Sequence, residues 1–82
     1  MKTFYCVMAE LFNGRYSGTN QAVIGRTCKE KPKNRYVEKP GMTAFNIWLD
    51  DESTAIELCE MVRTGDIGEY TLFGLFKLGL KL

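Results

Sequence analysis

Three cysteines, Cys6, Cys28 and Cys59, are the chain's only thiols, and no histidine occurs anywhere in its 82 residues. The missing imidazole excludes Ser-His-Asp and Cys-His nucleophile pairs, the HExxH zinc site and the ordinary histidine acid or base. The thiols are odd in number, widely spaced and without a CxxC pair, so they match neither a disulfide framework nor a common zinc pattern. A zinc ion would need a carboxylate as fourth ligand. They are read as reduced thiols, with no metal and no cofactor. "GRYSGTNQ" (14–21) carries glycines and hydroxyls but lacks GxxxxGK[ST] and a strand-to-helix setting, so it reads as a turn in which Ser17, Thr19 and Asn20 satisfy their own backbone.

Charge is the next chemical resource, and it is polarised. Arg26, Lys29, Lys31, Lys33, Arg35 and Lys39 face only Glu30 and Glu38 within 26–39, a net of +4, whereas 50–60 holds Asp50, Asp51, Glu52, Glu57 and Glu60 and no cation. The overall charge of +1 conceals both poles. Cations interleaved with Tyr36 are the ingredients of single-strand nucleic-acid binding, in which lysines and arginines follow phosphates and an aromatic ring stacks on a base. No RNP1-like, KH-like or zinc-finger motif accompanies them. The plainer reading, a solubilising segment whose charges blunt an edge strand, is preferred. The acidic run suits a helix N-terminus, where free amides favour carboxylates, and Glu57 and Glu60 are three apart on an exposed helical face. One helix face does not converge on a cleft, so no general-acid pair follows. The stripe remains usable as a docking surface.

The elements that hold these groups can be traced from periodicity. "KTFYCVMAELF" is rich in β-branched and aromatic residues and runs into Asn13-Gly14, which predicts a strand over 2–12 and a hairpin. The returning arm is broken at Gly18-Thr19-Asn20 before "QAVIGRTC" resumes, which implies a long tip or a bulge near Gly18. Pro32 and Pro40 lack amide donors, so 28–41 is a loop or at best an edge strand. In 42–49, Phe45, Ile47 and Leu49 alternate with Ala44, Asn46 and Trp48, a half-buried strand. A helix over about 51–64 follows, capped by Asp50 or Asp51, with Ala55, Ile56, Leu58, Cys59, Met61 and Val62 on its apolar face and Gly65 at its end. In "EYTLFGLFKLGLKL", Tyr70, Leu72, Phe76, Leu78, Leu80 and Leu82 share one face, while Phe73 and Leu75 point to the supposedly wet side.

Together these elements predict a single α+β domain over 1–82: a mainly antiparallel sheet of four to five strands with one helix packed on one face. The sheet becomes mixed if 42–49 and 69–80 form a right-handed crossover. No apolar run approaches the roughly 20 residues that span a bilayer, and the start at Met1–Lys2 lacks a signal-peptide pattern, so a soluble cytoplasmic protein is expected. Without histidine, cofactor motif or room for a deep pocket, an enzyme is not expected. The function read from the sequence is a small protein-binding or inhibitory module, also capable of homodimer formation, that uses Trp48, Phe73 and Leu75 with Glu57 and Glu60. A nucleic-acid-binding domain built on Arg26, Lys29, Lys31, Lys33, Arg35 and Tyr36 is the alternative.

Overall fold

Eleven residues of strongly β-forming type make β1 (Lys2–Phe12), the central strand. The computed structural model describes residues 1–65. Asn13 and Gly14 have φ of 53° and 77°, the left-handed pair that a two-residue type I′ hairpin turn requires. The chain reverses there into β2 (Arg15–Tyr16), with Leu11 opposite Tyr16 and Phe12 opposite Arg15. The Ser17 amide still donates to the Glu10 carbonyl at 3.2 Å. The backbone then leaves the ladder for four residues and returns to the same edge of β1 as β3 (Gln21–Cys28).

The interruption at Gly18 is therefore the gap between β2 and β3 rather than a bulge. The bulge lies further on, where Arg26 faces Phe4 and Ile24 faces Tyr5, leaving Gly25 unopposed. On the other edge of β1 runs β5 (Met42–Leu49), and outside it β4 (Arg35–Lys39). Among the described residues the segment bounded by Pro32 and Pro40 thus contributes a short strand at the edge of the sheet, in keeping with prolines at its flanks. Every described pairing is antiparallel. The expected strand over 69–80 and its parallel crossover lie outside the described residues.

Register sorts the side chains. β1 and β5 pair over eight positions, Tyr5 with Leu49 through Phe12 with Met42, so odd-numbered residues of both strands share one face. Val7, Ala9, Leu11, Thr43, Phe45, Ile47 and Leu49 are buried there. Strand β5 alternates half-buried and buried along its whole length, as its sequence pattern predicts.

Helix α1 (Glu52–Thr64) covers that face, packing mainly on β1 and also against β3 and β5. Asp51 is the N-cap: its Oδ2 accepts from the Thr54 amide at 2.9 Å and from the Thr54 and Ser53 hydroxyls at 2.8 and 2.6 Å. Those hydrogen bonds, the Ser53 hydroxyl first, hold the Asp51 carboxyl below its ordinary value. Gly65, at φ 83°, closes the helix by donating its amide to the Met61 and Val62 carbonyls, a left-handed C′ position that glycine fills without strain. Ala55, Leu58, Cys59 and Val62 are buried. Ile56 departs from the expected apolar face and is 48% exposed, because the stripe centres on the 55–58–59–62 positions and one residue's rotation carries Ile56 past its rim.

Two outcomes follow. Ile47→Ala, emptying a site that is 1% exposed, should cost about 2–5 kcal/mol in urea unfolding, whereas Ile56→Ala should stay within about 0.5 kcal/mol. Asp51→Ala should lower Tm at pH 7, and its deficit should shrink on acidification. A carboxyl whose folded value is depressed stabilises above its unfolded value near 3.8 and loses that contribution as pH falls through the folded one. A pH-independent deficit would show that the charge of Asp51 is immaterial.

Candidate interaction face

The even-numbered side chains of β1 and β5 face away from α1. Cross-strand partners share a face, so the helix-free surface is a grid in which Val23, Cys6 and Trp48 form one row. Gln21, Met8, Asn46 and Arg35 form the next; Glu10, Ala44 and Val37 the third; Arg15, Phe12, Met42 and Lys39 the fourth. Phe4 and Cys6 are buried on this side, outside the core beneath α1. Met8 and Trp48 are half-buried, and Val37 and Phe12 are exposed.

Trp48 is held from two directions. Its backbone amide donates to Asn34 Oδ1 at 2.7 Å; the Asn34 side chain, one residue before β4 begins, takes the place that a strand carbonyl would fill and continues the ladder past the end of β4. Above the ring, the Arg26 guanidinium carbon lies 5.4 Å from the centroid, a cation–π contact of about 0.5–1 kcal/mol at an exposed position. Arg26 reaches across β1 to do this, since β3 and β5 flank it on opposite sides.

The charge poles of the sequence become opposite sides of the sheet. Arg26, Arg35 and Lys39 project from the helix-free face, with Lys29, Lys31 and Lys33 exposed in the β3–β4 connection. Glu52, Glu57 and Glu60 are exposed on the helix covering the other face, and Glu60 pairs with Arg63 at 3.1 Å. Asp50 pairs with Lys2 at 3.4 Å. Both ion pairs are solvent-exposed, so they contribute little to stability.

Tyr36 does not accompany the cations. It lies opposite Phe45 and packs against the core under α1, with its hydroxyl oxygen buried. Among the described residues, the row beside Arg35 on this face carries Trp48, which lies under the Arg26 guanidinium. Phe73 and Leu75, expected beside Trp48, lie outside the described residues. Residues that periodicity did not single out matter here: Asn34 as the surrogate carbonyl, and Asn20, whose buried Nδ2 donates to the Cys59 carbonyl at 2.8 Å and ties the β2–β3 gap to the helix. Neither has a local sequence signal, because both bonds join distant parts of the chain.

All three cysteines are free thiols. Cys6 faces the helix-free side and Cys59 the core of α1, so the sheet separates them. Burial pushes the Cys6 thiol up from 9.0, against the smaller opposing pull of Arg26 and of the Ile47 backbone. Cys28 is half-exposed at the end of β3 and donates to the Glu30 carbonyl at 3.0 Å. Among the described residues no His, Cys, Asp and Glu side chains cluster as a metal site, and no helix is long and apolar enough to cross a membrane.

The class defined by these elements is an antiparallel α+β domain in which, among the described residues, one sheet face is covered by a helix and the other is not. No protein-family model, curated protein or solved structure matches the chain.

Thiol accessibility provides a direct check of this placement. With a thiol-reactive chromophore at pH 8, Cys28 should react first, and Cys6 and Cys59 only as the protein opens. Rapid labelling of Cys6 in the native protein would contradict its burial.

Proposed function

We propose that the protein is a small non-catalytic binding module whose target is another protein and whose contact surface is the helix-free sheet face. The observation that carries this reading is the composition of that face: a half-buried tryptophan fixed by Asn34 and Arg26, exposed apolar Val37, and Arg35 and Lys39 at the β4 edge. A restrained aromatic anchor with apolar neighbours and a charged rim is the make-up of an interface hot spot. Obstruction of the partner's own activity, an inhibitory role, is a natural use of such a module. Glu57 and Glu60 on the outer face of α1, with exposed Ile56 between them and the helix start, supply a second and smaller contact surface. Three free thiols suit the reducing cytoplasm.

Nucleic acid is the competing target. The exposed Lys29, Lys31 and Lys33 favour it, and the withdrawal of Tyr36 into the core weighs against it. Affinity capture with the wild-type protein, followed by titration of the purified target against Arg35→Glu/Val37→Glu and Glu57→Lys/Glu60→Lys variants, separates the readings. The sheet-face variant should bind at least tenfold more weakly, and the helix variant should change binding less. Unaltered binding by the sheet-face variant would overturn the assignment of the face. Oligonucleotide binding in fluorescence anisotropy that falls steeply between about 50 and about 200 mM salt would replace the protein-target reading with the nucleic-acid one.

A further inference from the structure

On the helix-free face, a depression of about 270 Å³ is lined by Met8, Ala9, Glu10, Thr19, Ala44, Phe45 and Asn46. It is formed where the sheet grid carries its smallest side chain: Ala44 lies between Glu10 and Val37 across the strands, and between Met42 and Asn46 along β5. The wall is completed by Thr19, from the segment that parts β2 from β3. Gly18 lies directly on Glu10, where a Cβ would come within 2.8 Å of the Glu10 Cβ and 3.1 Å of Oε2. The absent side chain thus lets the Glu10 carboxylate lie close against the loop, at the rim beside Thr19.

Glu10 supplies the only charge among the lining residues. No ion pair or hydrogen bond engages its carboxylate among the described residues; Arg15, opposite Phe12 on the neighbouring β2, and Arg35, two strands away on β4, both stay out of the lining. Asn46 and Thr19 add an amide and a hydroxyl, and Met8, Ala44 and the edges of Ala9 and Phe45 form an apolar floor. The volume falls below the roughly 300–1,000 Å³ of sites that enclose a small-molecule ligand. It is the size of a niche for one side chain.

We propose that this depression receives an arginine side chain of the protein partner. The guanidinium would be paired with Glu10 and hydrogen-bonded to Asn46 and Thr19, with its methylene stem on Met8 and Ala44. Arginine suits the niche because its planar fork presents five donors at fixed angles to several acceptors at once, and its stem tolerates an apolar floor. The proposal rests on the binding-module reading and makes it specific: the partner's contact surface combines an arginine for Glu10 with acidic groups for Arg35 and Lys39.

The probe is N-acetyl-arginine amide, titrated into ¹⁵N-labelled protein, with N-acetyl-citrulline amide as the neutral isostere. Saturable amide shifts at Met8, Glu10, Ala44 and Asn46, with a dissociation constant on the order of millimolar, are expected for the arginine probe. They should weaken at least tenfold for citrulline, for Glu10→Gln and for Ala44→Leu, which fills the niche and leaves the carboxylate in place. The unperturbed remainder of each spectrum shows that the variants are folded. Absence of shifts at these residues, equal response to citrulline, or full binding by Glu10→Gln would overturn the proposal. Binding of the probe by a protein whose Arg35→Glu/Val37→Glu variant still engages the partner normally would leave the arginine niche standing and remove this face as the partner's contact surface, so the two fail separately.

Discussion

Pairing of β1 with β5 is the constraint on which every other placement depends. Eight consecutive positions are matched, and the two strands between them supply seven of the buried side chains under α1. Because side chains alternate with a period of two, a slip of one residue would turn Val7, Ala9 and Leu11 outward and bring Cys6, Met8 and Glu10 under the helix. Burial of the unpaired Glu10 carboxylate alone would cost several kcal/mol. The register is therefore set by desolvation on one face, and the composition of the helix-free face is a consequence of it.

The second face could not be left fully polar once β1 carried Phe4, Cys6 and Met8 on its even positions. Its apolar content is handled in part by local devices: Arg26 lies over Trp48, and Asn34 supplies the acceptor that β4 is too short to provide. Arg26 also lies near enough to Cys6 to oppose the effect of burial on its thiol. These contacts restrain the tryptophan, so less side-chain entropy would be lost if a partner covered it.

Charge follows the same division. Acidic residues gather at the start and outer side of α1, where the backbone dipole and solvent both accommodate them. Six of the eleven cations occupy β4, the end of β3 and the connection between them. The sheet holds the two groups apart, so the +1 of the whole chain describes neither surface. Electrostatic steering of a partner would depend on which side it approaches.

Local rules account for much that was legible in the chain. The Asn13-Gly14 turn, the alternation of 42–49, the Asp51 cap, the Gly65 stop and the edge position of the proline-flanked segment all follow from backbone preferences and periodicity within a few neighbouring residues. Tertiary structure decided the rest. Tyr36 belongs against the core because β4 pairs with β5 in a register that sets it opposite Phe45, on the side that α1 covers. Ile56 is exposed because the sheet meets only the centre of the helical stripe. Arg26 reaches Trp48 over an intervening strand, and Gly18 meets Glu10 through a break in a hairpin. Periodicity assigns a residue to a face; only the packed chain decides what stands across from it, because that depends on register and strand order between segments remote in sequence.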